Sequence, residues 1–215
     1  MDKQILEKTL ANLRKEAPKR NFNQSVELVV NLHNFDIKKV PVSGSVVLHV
    51  GTGKKIKICA LVGDELLPEC KKSFDKVVAK DQFNSLDKKQ IKHLAKEYDF
   101  FVAQANIMGD IAKYFGKALG PRGKMPNPKL GCVVPTGSTN LKSLYDKLQK
   151  TVKFAAKNQM IIHCLLGKES MKDEELTENA LTVHNAILAL LPQGQNNIKN
   201  VFLKFTMSKA IEVKK

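Results

Sequence analysis

Two stretches of the sequence alternate apolar and polar side chains, so that one row could pack on a core while the other meets a partner. The stretches are residues 25–33 and 201–208. The partner-facing positions are Ser25, Glu27, Asn31, Phe202, Lys204, Thr206 and Ser208. If both strands lie in one sheet, hydroxyls, an aromatic ring and a cation suit contact with RNA riboses and phosphates. An ordinary solvated sheet face is the alternative interpretation.

A loop rich in glycine and proline is the second distinctive region, and it covers residues 119–131. Every charged side chain between positions 113 and 129 is basic: Lys113, Lys117, Arg122, Lys124 and Lys129. Prolines lower the entropy lost when a loop is ordered on a partner, and glycines let the backbone approach phosphate. The loop therefore favours contact with a polyanion, although a sharp turn between helix and strand would also use these residues.

Sequence patterns for catalysis and for cofactors are missing. Residues 51–55 contain a Gly-Lys pair without the spacing of a phosphate-binding loop, and Ile56 stands where a dinucleotide motif needs its third glycine. The five histidines lack metal-ligand spacing, and the four cysteines, without a CxxC pair, suit buried free thiols. We therefore predict no catalytic residue, no metal and no cofactor.

Composition excludes full disorder and favours an anionic partner. The chain has 215 residues, 43% of them hydrophobic, and 36 Lys and Arg against 21 Asp and Glu give a net charge of +15. The sequence lacks an apolar run of the roughly 18 residues that cross a bilayer, and its first residues are charged. We expect a cytoplasmic protein without a membrane partner.

The hydrophobic periodicity predicts alternating helices and strands. Predicted strands cover 25–33, 43–50, 56–63, 77–79, 100–103, 152–154, 160–167 and 198–207. Predicted helices follow the spacing of apolar residues within 5–13, 66–70, 86–95, 107–119, 141–148 and 173–191. Strands 56–63 and 100–103 are almost wholly apolar, which is typical of a parallel sheet covered on both faces.

The change in pattern predicts an α/β (α+β) protein of two domains. Residues 1–55 and 150–215 form an α+β domain with a split sheet, and residues 56–149 form a parallel-sheet domain inserted into it. Such insertions are tolerated because the ends of a domain usually lie close together.

Four motifs identify a family resemblance. They are LGPRGKMPNP at 119–128, RNFNQSVE at 20–27, GKE at 167–169 and FTMSKA at 205–210. With them the chain resembles, over almost its whole length, the L-one family of large-subunit ribosomal proteins, and its archaeal members most. The resemblance implies an RNA-binding domain built from both termini and a Rossmann-like inserted domain without a nucleotide.

The resemblance also implies partners. The terminal domain would bind large-subunit rRNA at the mobile stalk near the tRNA exit site, beside the exit-site tRNA and other large-subunit components. Family members also repress translation by binding their own mRNA, and the protein would be a monomer off the ribosome.

The family's RNA contacts match particular side chains of this sequence: Phe22, Ser25, Glu27, Thr206 and Met207. We add neighbouring candidates, Arg20, Lys168, Lys204 and Ser208, and expect secondary RNA contacts at Lys117, Arg122 and Lys124. Glu27 would contact ribose, or instead orient Lys204 or Arg20.

Ser208 departs from the family, which usually has glycine at this position. Its side chain would block the approach of backbone to ribose, or supply a hydroxyl in its place. We expect binding that is weakened but not abolished.

Two other functions stay open on the residues alone. A parallel sheet would suit a nucleotide-binding enzyme of Rossmann-like type, and basic charge permits a DNA-binding architectural protein. The missing phosphate loops count against the enzyme, and we favour a non-catalytic rRNA-binding protein.

Overall fold

The computed structural model describes residues 1–37, 41–136, 140–156 and 159–214. The chain forms two compact units. The terminal unit consists of Met1–Lys54 with Lys150–Lys215, and the inserted unit is Lys55–Gln149. In chain order the main elements are α1 (Lys3–Glu16), β1 (Ser25–Leu32), β2 (Val42–Val47), β3 (Ile58–Val62), α2 (Leu67–Ser73), β4 (Lys76–Ala79), α3 (Lys88–Glu97), β5 (Phe100–Gln104), α4 (Met108–Leu119), β6 (Val133–Val134), α5 (Leu141–Gln149), β7 (Thr151–Ala156), β8 (Ile161–Lys168), α6 (Asp173–Leu190), β9 (Ile198–Phe205) and β10 (Ile211–Glu212).

The terminal unit contains an antiparallel sheet in the order β10-β9-β1-β8 and a separate antiparallel pair, β2 and β7. The inward row of β1, which includes Val26, Leu28 and Val30, is fully buried in one core with apolar side chains of α1 and α6. The other row of β1 points away from these helices, because neighbouring side chains of a strand alternate in direction. We call this second surface of the four-stranded sheet the outer face.

The end of β8 is closely packed at Gly167, so that a side chain there would displace its neighbours. A Cβ atom there would lie 2.6 Å from Met171 Sδ and 2.7 Å from Leu176 Cδ2. The pairing of β1 with β8 also contains a β-bulge between Val26 and Glu27. Bulges change the direction of nearby side chains. The bulge and the close packing at Gly167 therefore determine the direction of the Lys168 side chain at the end of β8.

The inserted unit is built on a parallel sheet in the order β4-β3-β5-β6. Every residue of β3 and β5 is buried. Their side chains divide between two apolar clusters, so that Cys59 and Leu61 join one and Ile58 and Ala60 the other. The predicted mixed α/β class, with a parallel sheet covered on both faces, is confirmed.

Two short strands were not predicted. They are β6, within the glycine- and proline-rich stretch, and β10, near the end of the chain. Each has two residues, which is too short for a period of two to be recognised.

Candidate nucleic-acid interface

The two strands with alternating polar side chains are direct neighbours. Antiparallel pairing places Val26 opposite Phe205 and Glu27 opposite Lys204. The polar rows of β1 and β9 therefore share the outer face, as the sequence predicted.

The turn that follows β9 is tied to the first residue of β1. Thr206 donates its backbone N–H to the Ser25 carbonyl (3.1 Å), and its Oγ1 accepts the Ser25 N–H (3.1 Å). The next residue, Met207, donates its N–H to Gln24 Oε1 at 3.2 Å. Met207 and Phe22 are large apolar side chains that remain 52% and 51% exposed. This end of the sheet therefore presents hydroxyl and apolar groups together.

Two lysines carry positive charge onto this surface. Lys168 Nζ donates to Ser25 Oγ at 3.0 Å and to the Asn23 carbonyl at 3.4 Å. On the next row, Lys204 Nζ lies 4.0 Å from Glu27 Oε2. Glu27 is thus placed beside Lys204, one of the two cations that it was expected to orient if it does not contact ribose. Arg20 is exposed on the segment before β1.

Three residues that the sequence analysis did not include hold this surface in place. Gln24, fully buried, donates its Nε2 to the Pro18 carbonyl (3.3 Å) while its Oε1 accepts from Met207. Asn23 Nδ2 donates to Ser170 Oγ at 2.9 Å. Asn23 and Gln24 belong to the motif at 20–27, which did not reveal their contacts, and nothing local distinguished the third residue, Arg14.

Arg14, on α1, binds the loop between β8 and α6 at three points. Its Nε donates to Asp173 Oδ1 (2.7 Å), and its two terminal nitrogens donate to the Glu169 and Met171 carbonyls (2.8 Å each). The same loop contacts Gln24, because Glu169 donates its N–H to the Gln24 carbonyl at 2.9 Å. The loop thus connects α1 to the start of β1.

The three predicted RNA contacts of the inserted unit differ in their surroundings. Lys117 and Arg122 are exposed, and one terminal nitrogen of Arg122 donates to the Lys92 carbonyl at 3.3 Å. Lys124 is half-buried: its Nζ donates to the Tyr98 carbonyl at 2.7 Å and lies 3.9 Å from the Asp99 carboxylate. Residues 113–129 contain only basic charged side chains, and the fold brings Asp99, just after α3, next to Lys124. Lys124 therefore secures the loop rather than presenting a free charge.

A buried side chain lies at the strand ends where open α/β sheets bind nucleotides. Gln104, 3% exposed, lies at the carboxyl end of β5. Its Oε1 accepts the Gly63 N–H at 2.8 Å, and its Nε2 donates to Thr136 Oγ1 at 3.3 Å. The first bond joins the ends of neighbouring strands β3 and β5, where a cofactor would bind, and the second reaches the segment after β6. The geometry gives no support to a nucleotide-binding enzyme.

The four cysteines are buried thiols outside any disulfide, as predicted. Burial raises the pKa of the Cys59 and Cys164 thiols to about 12 and that of Cys70 to about 11. Thiols of this kind stay protonated at neutral pH and are poor nucleophiles and metal ligands. Within the described ranges, no group of three or more His, Cys, Asp or Glu side chains is placed to hold a metal ion. The helices described are all too short or too polar to span a membrane.

Comparison with known proteins gives one consistent result. Residues 13–209 match the model of the ribosomal protein L1p/L10e family. The large ribosomal subunit protein uL1 of Nanoarchaeum equitans is 43% identical over 93% of this chain and 95% of the relative. Those of Thermococcus kodakarensis and Pyrococcus abyssi are 39% and 38% identical, over 100% and 99% of this chain and 99% and 97% of the relatives.

Proposed function

The chain belongs to the ribosomal protein L1p/L10e family, as an archaeal-type, non-enzymatic protein of the large ribosomal subunit, and from this premise we propose that it binds large-subunit rRNA. The proposed binding surface is one end of the outer face. It comprises Arg20, Phe22, Ser25, Glu27, Lys168, Lys204, Thr206, Met207 and Ser208.

The observation that carries the proposal is the junction of Ser25, Thr206 and Lys168. Hydrogen bonds join the first residue of β1 to the turn after β9 on one side and to the end of β8 on the other. Three chain segments thus hold hydroxyls and a cation beside two exposed apolar side chains, Phe22 and Met207. A preorganised surface of this composition fits a folded RNA segment, whose riboses and phosphates offer donors and acceptors.

The exposed cations of the inserted unit would supply a second, less specific contact. Lys117 and Arg122 can reach solvent and therefore phosphate. We assign Lys124 an indirect role, since its ammonium bonds to the end of α3.

The finer assignments of place and partner rest on the family. We propose that the protein occupies the mobile stalk near the tRNA exit site, beside the exit-site tRNA and other large-subunit components. We also propose that it represses its own mRNA, because one surface would accept an mRNA segment of the same shape as the rRNA site. Off the ribosome it would be a cytoplasmic monomer.

Cosedimentation with large ribosomal subunits, followed by chemical footprinting of the rRNA, tests this function. We expect the protein to sediment with the subunit and to protect one rRNA segment. For that segment, Thr206→Ala should lower the affinity about tenfold, the effect of roughly one hydrogen bond at an ordered interface. Thr182→Ala, which removes a hydroxyl from α6, is the matched control and should leave the affinity unchanged.

Two results would contradict the proposed function. If no rRNA segment is protected, or if duplex DNA competes as well as structured RNA at moderate salt, the proposal is wrong. The second outcome would favour the DNA-binding alternative.

A further inference from the structure

The outer face continues beyond the polar end into a row of less polar side chains. In the sheet register, Val29 of β1 pairs with His163 of β8 on one side and with Phe202 of β9 on the other. We call His163, Val29 and Phe202 the central row.

Strand alternation places the whole row on the outer face. In β1 and β8 the residues on either side of the row member are fully or almost fully buried: Leu28, Val30, Ile162 and Cys164. In β9 the flanking residues Val201 and Leu203 are 8% and 0% exposed. Because successive side chains of a strand point to opposite faces, the central row points away from the core.

The composition of the row differs from that of its neighbours. Val29 is 9% exposed, Phe202 is half-buried and His163 is exposed. The row on one side pairs Glu27 with Lys204, and the row on the other pairs Asn31 with Asn200. On β1 and β9 the sheet thus presents a short apolar strip, Val29 and Phe202, between two polar pairs. On β8 the flanking rows continue with Leu165 and Ile161, and on β10 the central row continues with Glu212, which pairs with Phe202.

We propose that the central row is a stacking site for an unpaired base of the bound RNA, with Phe202 as the stacking ring. This inference rests on the proposed function and extends it, because the central row directly adjoins the Glu27–Lys204 row of the proposed RNA surface. A base brings an apolar ring face together with hydrogen-bonding edges. The strip can receive the ring face, and the amides of Asn31 and Asn200 lie one row away. The Nδ2 of Asn200 donates to Glu212 Oε1, which leaves its amide oxygen and the Asn31 amide for the edge of the base.

Charge favours RNA over a second copy of this chain as the occupant. The chain carries a net charge of +15, so two copies repel each other while a nucleic acid is attracted. Lys204, two residues after Phe202 on the same face of β9, places a positive charge on the adjacent row.

Two substitutions of Phe202 in the full chain, measured by filter binding with transcribed large-subunit rRNA, test the inference. Phe202→Leu keeps an apolar side chain but removes the ring, and should lower the affinity about tenfold or more, as loss of one stacked base does. Phe202→Tyr keeps the ring and should bind within about twofold of the wild type. Both variants should keep the wild-type salt dependence, because no charge is removed. Leu190→Ala, at an exposed apolar position of α6, should bind as the wild type does.

A second measurement does not depend on the folding of any variant. Ultraviolet crosslinking of the wild-type complex, followed by digestion, should give a nucleotide attached to the peptide that contains Phe202. A sedimentation measurement of the free protein should show the same species for wild type and Phe202→Leu.

Failure of the inference and failure of the proposed function give different results. If wild type and Phe202→Leu bind rRNA equally tightly, the stacking site is refuted and the proposed function stands. A change from dimer to monomer in Phe202→Leu also refutes it, since the row would then be a contact between copies. If the wild type itself does not bind rRNA, both proposals are wrong.

Discussion

The hydroxyl of Ser208 forms two hydrogen bonds within its own turn. Its Oγ accepts the Phe205 N–H at 2.9 Å and donates to the Lys209 carbonyl at 2.9 Å. The turn uses the proton and one lone pair of this hydroxyl, so of the two roles considered for the side chain, a hydroxyl contact with ribose is left only as an acceptor. The Cβ atom is the second feature that separates serine from the family's glycine.

Two substitutions separate the Cβ atom from the hydroxyl. Ser208→Ala removes only the hydroxyl, and loss of its bonds to the turn should lower the rRNA affinity several-fold. Ser208→Gly also removes the Cβ, so it should bind tighter than Ser208→Ala if the Cβ obstructs the ribose. Filter binding of both variants at one salt concentration measures the difference. Equal affinities, or tighter binding by Ser208→Ala, would show that the Cβ causes no obstruction.

At this scale the sequence predicts side-chain direction well and side-chain partners poorly. The outward placement of Ser25 and Lys204 follows from strand period alone. The partners of Gln24 lie at Pro18 and Met207, and those of Arg14 lie between Glu169 and Asp173. Apart from the Pro18 contact, these partners are more than 150 residues away in the sequence. Such contacts depend on the tertiary fold, and no local pattern encodes them.

Among the elements, α1 has a role beyond covering the core. Through Arg14 it holds the loop that joins Lys168, at the end of β8, to Asp173, at the start of α6. The geometry makes Arg14 a positioning residue: the loop it holds flanks Lys168 and contacts both Asn23 and Gln24.

A charge-conserving substitution tests this positioning. Arg14→Lys keeps the positive charge but cannot reproduce three directed bonds from a planar group. We expect the rRNA affinity to fall by about tenfold, equivalent to roughly one well-placed hydrogen bond. The dependence of affinity on salt should not change, since the number of charges is unchanged. Lys15→Arg, at the exposed neighbouring position, is the control and should bind normally.

Filter-binding titrations at several salt concentrations separate the two possible roles. A salt dependence that becomes weaker in Arg14→Lys would indicate a direct phosphate contact instead. An unchanged affinity at every salt concentration would show that the loop keeps its position without the guanidinium group.

Element types were predictable wherever the apolar period ran over several turns or residues. The continuous apolar run at 58–62 is a buried parallel strand, and α6 begins at the predicted acidic residues, Asp173 to Glu175. The spacing of apolar residues does not predict strand order. In the sheet, β1 lies between β8 and β9, two strands from the other end of the chain. The β-bulge after Val26 is equally invisible, because it arises from pairing rather than from composition.

Across the whole molecule, the surplus of +15 indicates an anionic partner but does not say which side chains meet it. The fold makes part of that distinction. Lys124 has Asp99 and a helix-end carbonyl as partners, whereas Lys117 is exposed on α4. In the terminal unit, Lys204 has Glu27 nearby. Charge that is paired within the fold contributes less to the attraction of phosphate than exposed charge does.

Salt titrations of rRNA binding should therefore divide the basic residues into two groups. Each phosphate contact changes the slope of log affinity against log salt by about one unit, because counterions are released from the RNA. We expect Lys117→Ala and Arg122→Ala each to lower the slope by about that amount. Lys124→Ala should leave the slope almost unchanged and instead lower the melting temperature, since it breaks the contact with Tyr98 and Asp99.

Thr206→Ala provides the contrast from the specific surface, because it should weaken binding equally at all salt concentrations. Lys72→Ala, at an exposed position near the end of α2, controls for the loss of a charge elsewhere in the inserted unit and should keep the wild-type slope. Identical slopes for all five proteins would contradict a division between charge that attracts the RNA and a nearly neutral surface that selects it. If only Lys124→Ala lowers the slope, the phosphate contact is made by the half-buried lysine. Its ammonium must then leave the end of α3 when RNA binds.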